Sequence, residues 1–275
     1  MAKSVCCLLA CFLLLRAVYC HGTHGDVVQI HIYSEKEDPA TLVETITGKS
    51  FGRLPLADED IGGGEIVFST AMTGYVESMT DPSYAGQILL LSYPLIGNYG
   101  VPSNKSLSRR NTQHTACKHT AKNGHQSFRI QVAGLVVSSI SGDTSHWESI
   151  MSLSDWMASE NIPGIYGVDT RRLVKRIRQQ ESAMVGAIST SPAAVKQKVH
   201  WNQQPKQYGP AQWSCGNCEG LPGGCIRILV LDFGLKHGIV SKLLDLSNNS
   251  QIEISISPGS TTELEAEMKK KPFHG

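Results

Sequence analysis

Residues 62–100, GGGEIVFSTAMTGYVESMTDPSYAGQILLLSYPLIGNYG, constrain the fold of this chain more than any other stretch. Two apolar, β-prone runs, Glu65–Ser69 and Gln87–Tyr93, stand between residues that end strands. Gly62–Gly64 precede them, Thr73-Gly74 and Asp81-Pro82 separate them, and Pro94, Gly97 and Asn98 follow. The spacing predicts two strands joined by a polar loop that carries Thr70–Tyr75 and Asp81–Tyr84. A loop held at both ends by buried strands presents its side chains in fixed geometry, so a ligand is sought here first.

The rest of the chain is read around that unit. Its 275 residues suffice for one or two domains with their own cores. A hydrophobic fraction of 41% and a formal charge of +1 describe an ordinary soluble globular protein and give no reason to expect nucleic acid or an acidic substrate. Met1–Cys20 has Lys3, an apolar run from Val5 to Leu15, and small enough residues, Val18 and Cys20, before a cleavage point. That pattern reads as a signal-peptide-like leader and points to the secretory pathway; a plain hydrophobic extension is the other reading. A membrane span needs about 20 apolar residues, so none is expected. Of the 8 cysteines, Cys6, Cys7, Cys11 and Cys20 belong to the leader. Cys117, Cys215, Cys218 and Cys225 are too sparse for a disulfide scaffold, although Cys215 or Cys218 could pair with Cys225 in an oxidising lumen. The sequons at Asn104 and Asn248 are glycosylation acceptors only if the chain is secreted.

Along the chain, His21–Pro39 reads as a mobile arm or an extra edge strand, with an alternating run at Val27–Tyr33. Thr41–Arg53 reads as a hairpin around Thr47-Gly48. Ser103–Ser127 is polar and reads as an exposed loop; His114, Cys117, His119 and His125 are zinc-ligand types there but lack the usual spaced pairs. Phe128–Ser139 is β-like and leads towards a helix capped by Ser152 with Asp155, whose Leu153, Trp156 and Met157 share one face. Pro163-Gly164 ends that helix, Ile165–Val168 is a strand, and Asp169-Thr170 caps the next helix. Leu173, Val174 and Ile177 face inward on it, while Arg171, Arg172, Lys175, Arg176 and Arg178 form a basic side. That side suits phosphate, simple solvation or a partner surface. His200–Gly224 reads as a linker, with Cys215 and Cys218 at best half a zinc ribbon. Ile226–Leu231, Leu235–Leu246, Ile252–Ile256 and Thr261–Lys270 then alternate as strand, helix, strand, helix, the start of a parallel α/β sheet.

Residues Gly64–Val101, GEIVFSTAMTGYVESMTDPSYAGQILLLSYPLIGNYGV, closely resemble the N-terminal domain of the small, glutamine amidotransferase chain of carbamoyl-phosphate synthase. Gln131–Val137, Ile165–Arg178 and Ile228–Lys236 match that family further on, in the same order, so the resemblance runs from Thr41 to the end. It implies a mixed α/β fold: a strand-dominated β/β/α N-terminal domain over 41–190, a linker over 200–225, and an incomplete parallel α/β class I amidotransferase domain over 226–275, behind the leader at 1–20. It implies that the chain is part of a glutamine-hydrolysing subunit, in contact with a large chain that uses ATP and magnesium to make carbamoyl phosphate. The family places the protein in the cytoplasm or the mitochondrion, against the leader. No cofactor is expected in this chain itself.

Releasing ammonia from glutamine needs a thiolate activated by a His, which a carboxylate orients. In the family these groups lie beyond the part matched here, so no catalytic residue is expected among the 275, and none of the cysteines has the required strand-to-helix elbow. The resemblance carries over one ligand residue, the Ser of the TDPSY motif, here Ser83, which would contact the bound glutamine. Its residues alone allow a second role, completing the turn that Asp81-Pro82 starts. Two alternatives for the whole chain stay open: the structural region of an ammonia-dependent synthase, and a secreted, non-catalytic relic that binds a partner.

Overall fold

The computed structural model describes residues 25–34, 41–55, 63–103, 125–127, 129–180, 182–190, 213–215, 226–236, 239, 242–243 and 252–258. The leader, both sequons, His114, Cys117, His119, Cys218, Cys225 and the helix expected over Thr261–Lys270 lie outside the described residues. The chain is strand-dominated with short helices, a mixed α/β fold, and divides into two compact units.

The first unit holds described residues within 25–75, 86–103 and 132–190. Its centre is a closed barrel of β1 (Val27–Ser34), β2 (Thr41–Gly52), β3 (Gly64–Ser69), β4 (Ile88–Leu91), β7 (Gly134–Val136), β10 (Pro163–Tyr166) and β11 (Met184–Ser189). Around the barrel the order is β1-β11-β3-β4-β7-β10-β2. β3, β4, β7 and β10 run parallel, while β11, β1 and β2 close the circle antiparallel. Alternate residues fill the interior: Val28, Ile30 and Ile32 from β1, Ile66 from β3, Ile88 and Leu90 from β4, with Val136, Ile165 and Ile188. Each such side chain, taken out of water, contributes about 1.5–3 kcal/mol, and closure leaves no barrel edge to protect.

Two sequence expectations change here. Thr41–Gly52 is one twelve-residue strand, not a hairpin, because β1 pairs along it from Ser34↔Thr41 to Val27↔Lys49 and β10 takes its far end. Gly48 serves close approach and not a turn: a Cβ there would lie 2.5 Å from the Tyr166 carbonyl oxygen. The Val27–Tyr33 run is no arm or edge strand either, since β1 is paired on both sides. Barrel closure brings β11 next to it, a partner far along the chain that local alternation cannot reveal.

Between barrel strands the chain makes β5 (Leu95–Ile96), β6 (Val101–Pro102), β8 (Ser139–Ile140) and β9 (Ser149–Met151). The helices form where their caps predict. The Ser152 hydroxyl accepts from Asp155 N–H at the start of α2 (Leu153–Ser159), which buries Leu153, Trp156 and Met157. Asp169 accepts from Arg172 N–H at the start of α3 (Thr170–Gln179), and Leu173 joins the barrel core. Part of the basic side of α3 is used internally: Arg172 and Arg176 both bind the Glu44 carboxylate. The loop expected between β3 and β4 contains a six-residue helix, α1 (Tyr75–Thr80), and a 3-10 turn, Pro82–Tyr84. Just before α1, the Tyr99 hydroxyl accepts from both Gly74 and Tyr75 N–H, which pins the Thr70–Gly74 segment.

The second unit holds Val76–Ala85, described residues within 125–131 and those from 213 onward. Its sheet has the order β12-β14-β13, from β12 (Trp213–Cys215), β13 (Ile226–Asp232) and β14 (Ile252–Pro258). β13 and β14 are parallel, as the α/β alternation predicts, and Ile254 and Ile256 pack with Val230, Leu235 and Leu243. The linker reading of 200–225 needs one correction, because Trp213–Cys215 pairs antiparallel with β14. Three residues are too few to show a period, and it is the open side of β14 that makes them a strand. Among the described residues no helix is long and apolar enough to cross a membrane.

Candidate functional site

The site grows from Asp81, which follows α1 in the second unit. Thr80 holds the end of α1: its hydroxyl donates to Val76 C=O at 2.7 Å and accepts from Gln126 N–H at 2.9 Å. Asp81, in extended conformation, caps the 3-10 turn by accepting from Ser83 N–H through Oδ1 at 2.9 Å. Pro82 at the first turn position has no N–H to leave unsatisfied and its φ is already set. The Tyr84 and Ala85 N–H groups return to Asp81 and Pro82 carbonyls at 3.0 and 3.1 Å. Asp81 and Pro82 are buried, while Ser83 is exposed. The turn therefore fixes a backbone and offers one hydroxyl to solvent.

A second aspartate-held turn lies against it in the same unit. At the end of β13, Asp232 Oδ1 accepts from Gly234 N–H at 3.0 Å and from Leu235 N–H at 2.8 Å. Gly234 has φ +110°, and a Cβ there would sit 3.0 Å from the Pro82 carbonyl oxygen and 3.2 Å from Ser83 Cα. Only glycine permits both that dihedral and that approach. The next contact is ionic: Lys236 Nζ lies 2.7 Å from Asp81 Oδ2. One carboxylate thus spans the site, Oδ1 on the Ser83 backbone and Oδ2 on Lys236.

The arrangement presents one exposed hydroxyl beside a closed ion pair. Asp81 is engaged at both oxygens and Lys236 at its ammonium, so neither is free as a base. The Ser83 hydroxyl can donate to or accept from a ligand amide or carboxylate. The structure places the predicted residue, Ser83, on a rigid turn. It adds Gly234 and Lys236, and gives Asp81, expected from the sequence to start the turn, a second partner in Lys236. The Asp-Phe-Gly run at a strand end signals a tight turn, but nothing local announces that the Asp81–Tyr84 turn packs on it. Of the zinc-ligand types in the polar insertion, His114, Cys117 and His119 lie outside the described residues. His125 is described and is buried, at 6% exposure.

In the first unit a buried histidine has a structural role. The His31 ring nitrogens lie 3.1 Å from Thr45 Oγ1 and 3.1 Å from Ser189 Oγ. Burial disfavours its charged form and lowers its pKa from the ordinary 6.5.

Comparison with known proteins assigns a family to the chain. Residues 43–188 match the carbamoyl-phosphate synthase small chain, CPSase domain. The chain is 41% identical over 212 residues to the carbamoyl phosphate synthase small chain of Pyrococcus furiosus, covering 72% of this chain and 50% of that protein. It is 37% identical over 205 residues to the arginine-specific small chain of Aspergillus oryzae, covering 72% and 41%. To the mitochondrial carbamoyl-phosphate synthase [ammonia] of Aquarana catesbeiana it is 35% identical over 220 residues, covering 78% of this chain and 14% of that protein. The chain spans about half the length of the archaeal small chains it matches.

Proposed function

The chain belongs to the carbamoyl-phosphate synthase small-chain family, and on that premise we propose that it supplies one wall of a glutamine site in a glutamine-hydrolysing small chain. Ser83 is the residue that contacts glutamine, through its hydroxyl and the substrate's polar end. Asp81 and Lys236 hold Ser83 in place, and the β13–β14 segment is the opening of the amidotransferase domain. The partner is the large chain, which takes up the released ammonia and carries the ATP and magnesium chemistry of carbamoyl phosphate synthesis.

One observation carries this reading. An exposed hydroxyl sits on a turn that is fixed from both sides, by its own Asp81 cap and by the Gly234 and Lys236 contacts from the end of a parallel strand. Ligands of open parallel sheets gather beyond the carboxyl ends of the strands, which is where Asp232–Lys236 lie. The test is Ser83→Ala in a polypeptide that carries the complete amidotransferase domain. KM for glutamine should rise about 10-fold, the loss expected for one hydrogen bond to a polar or charged group, while synthesis from added ammonia stays unchanged. An unaltered KM would show that Ser83 only completes its turn. Mass spectrometry of the mature amino terminus tests the secretory leader separately.

A further inference from the structure

The segment that carries Ser83 is held at both ends, and the two ends are held differently. Past Ser83 the chain turns at Gly86, φ +73°, into β4. There the hold is backbone on backbone: a Cβ on Gly64 would lie 2.2 Å from the Gly86 carbonyl oxygen, and Ala133 N–H donates to the Gln87 carbonyl at 2.8 Å. Ahead of Ser83 stands α1, six residues that run directly into Asp81. The first N–H groups of any helix lack an internal partner, and a helix this short does not hold itself together. The residue at its cap position, Gly74, has no side chain with which to accept a hydrogen bond. Tyr99 does so from outside the helix. Its hydroxyl accepts from Gly74 N–H at 2.9 Å and from Tyr75 N–H at 3.0 Å. Its ring stacks on that of Tyr75, centroids 4.1 Å apart and planes 18° from parallel. Tyr75, 3% exposed, donates its own hydroxyl to the Gly100 carbonyl at 2.6 Å. The first residue of α1 is thus fixed at its N–H, its ring and its hydroxyl by two consecutive residues, Tyr99 and Gly100.

We infer that Tyr99 is a positioning residue for glutamine: by capping α1 it fixes the start of the helix whose other end delivers Asp81 and Ser83. The inference rests on the proposed function and adds to that site a residue that acts through the backbone. Thr80 and Met79 secure the far end of α1, by accepting from Gln126 N–H and Gln131 N–H. Tyr99 secures its first turn. With that turn released the helix frays from its start, and the fraction of chains that hold Ser83 in the binding geometry falls. Apparent affinity for a ligand falls by the same fraction. Because Tyr99 acts only by way of Ser83, its loss is bounded by the loss of the Ser83 hydroxyl itself.

The experiment measures glutamine-dependent and ammonia-dependent synthesis by the holoenzyme, with its amidotransferase domain complete, for the wild type, Tyr99→Phe, Ser83→Ala and the double variant. Phenylalanine keeps the stacked ring and removes only the accepting hydroxyl. Tyr99→Phe should raise KM for glutamine about 3- to 8-fold, below the roughly 10-fold of Ser83→Ala, and leave synthesis from added ammonia unchanged. Added to Ser83→Ala, it should raise KM no further, a result that a merely structural loss would not give. Tyr75→Phe, which removes the bond to Gly100 from the other side of the clasp, should raise KM in the same direction. When Ser83→Ala raises KM, values for Tyr99→Phe within about 1.5-fold of wild type overturn the inference and leave the proposed function standing. A Tyr99→Phe effect that persists in full on Ser83→Ala also overturns it, by showing that Tyr99 acts elsewhere. An unaltered KM in Ser83→Ala overturns the proposed function first, and this inference with it.

Discussion

Replacing Lys236 with methionine isolates the contact on which the site depends. Methionine keeps the apolar stem and removes the ammonium, so Asp81 Oδ2 loses its ionic partner while Oδ1 keeps Ser83 N–H. The magnitude follows from exposure. The Asp81 side chain is 11% exposed and that of Lys236 42%. Exposed pairs contribute about 0–1 kcal/mol, and breaking a buried one costs about 3–5 kcal/mol. With one partner buried and the other half in water, a loss of about 1–2 kcal/mol is expected. It should be local, in the second unit. Amide hydrogen exchange reads it directly: Ser83 N–H and the Gly234 and Leu235 N–H groups should lose roughly 5- to 30-fold in protection, while barrel amides of β1 and β11 keep theirs. Combining Lys236→Met with Asp81→Asn completes a double-mutant cycle, and the coupling should be positive and of similar size. A coupling below about 0.3 kcal/mol, with Ser83 still protected, would refute the idea that one carboxylate joins the two turns.

Two further predictions concern the barrel. Gly64→Ala directs a Cβ to within 2.2 Å of the Gly86 carbonyl oxygen, a backbone atom with no rotamer to move, so it should destabilise the first unit by about 3 kcal/mol in denaturant unfolding. Gly167→Ala, with open space but φ +83°, should cost only about 1 kcal/mol; equal effects would mean that the Gly64 contact is not tight. His31 makes stability depend on pH. Its pKa is lower in the folded chain, so the unfolded chain binds the proton more readily, and stability held above pH 6.5 falls as pH drops through 6.5 towards the folded value. Thermal melts between about pH 5 and 8 should show that slope, and His31→Gln should flatten it; an identical slope in the variant would assign the effect to other groups.

These expectations separate local from non-local causes. Strands β3, β4, β13 and β14 and the caps of α2 and α3 were legible because the period of apolar residues and the capping side chain lie within a few residues of each other. The hairpin expected at Thr47-Gly48 failed because a glycine has two uses, turning the chain or letting another strand come close, and only the presence of β10 selects the second. α1 was missed for a related reason: six residues are too few for a periodic signal, and tertiary anchors such as Gln131 N–H on the Met79 carbonyl hold it in place.

The sequence by itself determined strands β3, β4, β13 and β14, the capped helices α2 and α3, the family likeness, and the Asp-Pro turn that carries Ser83, because each is written in neighbouring residues. Barrel closure, the strand at Trp213–Cys215 and the Asp81–Lys236 pair were decided only by the tertiary structure. The reason is physical. A hydrogen-bonded edge or a buried carboxylate sets a requirement that any suitable group can meet, and which group meets it depends on where the folded backbone brings distant segments together.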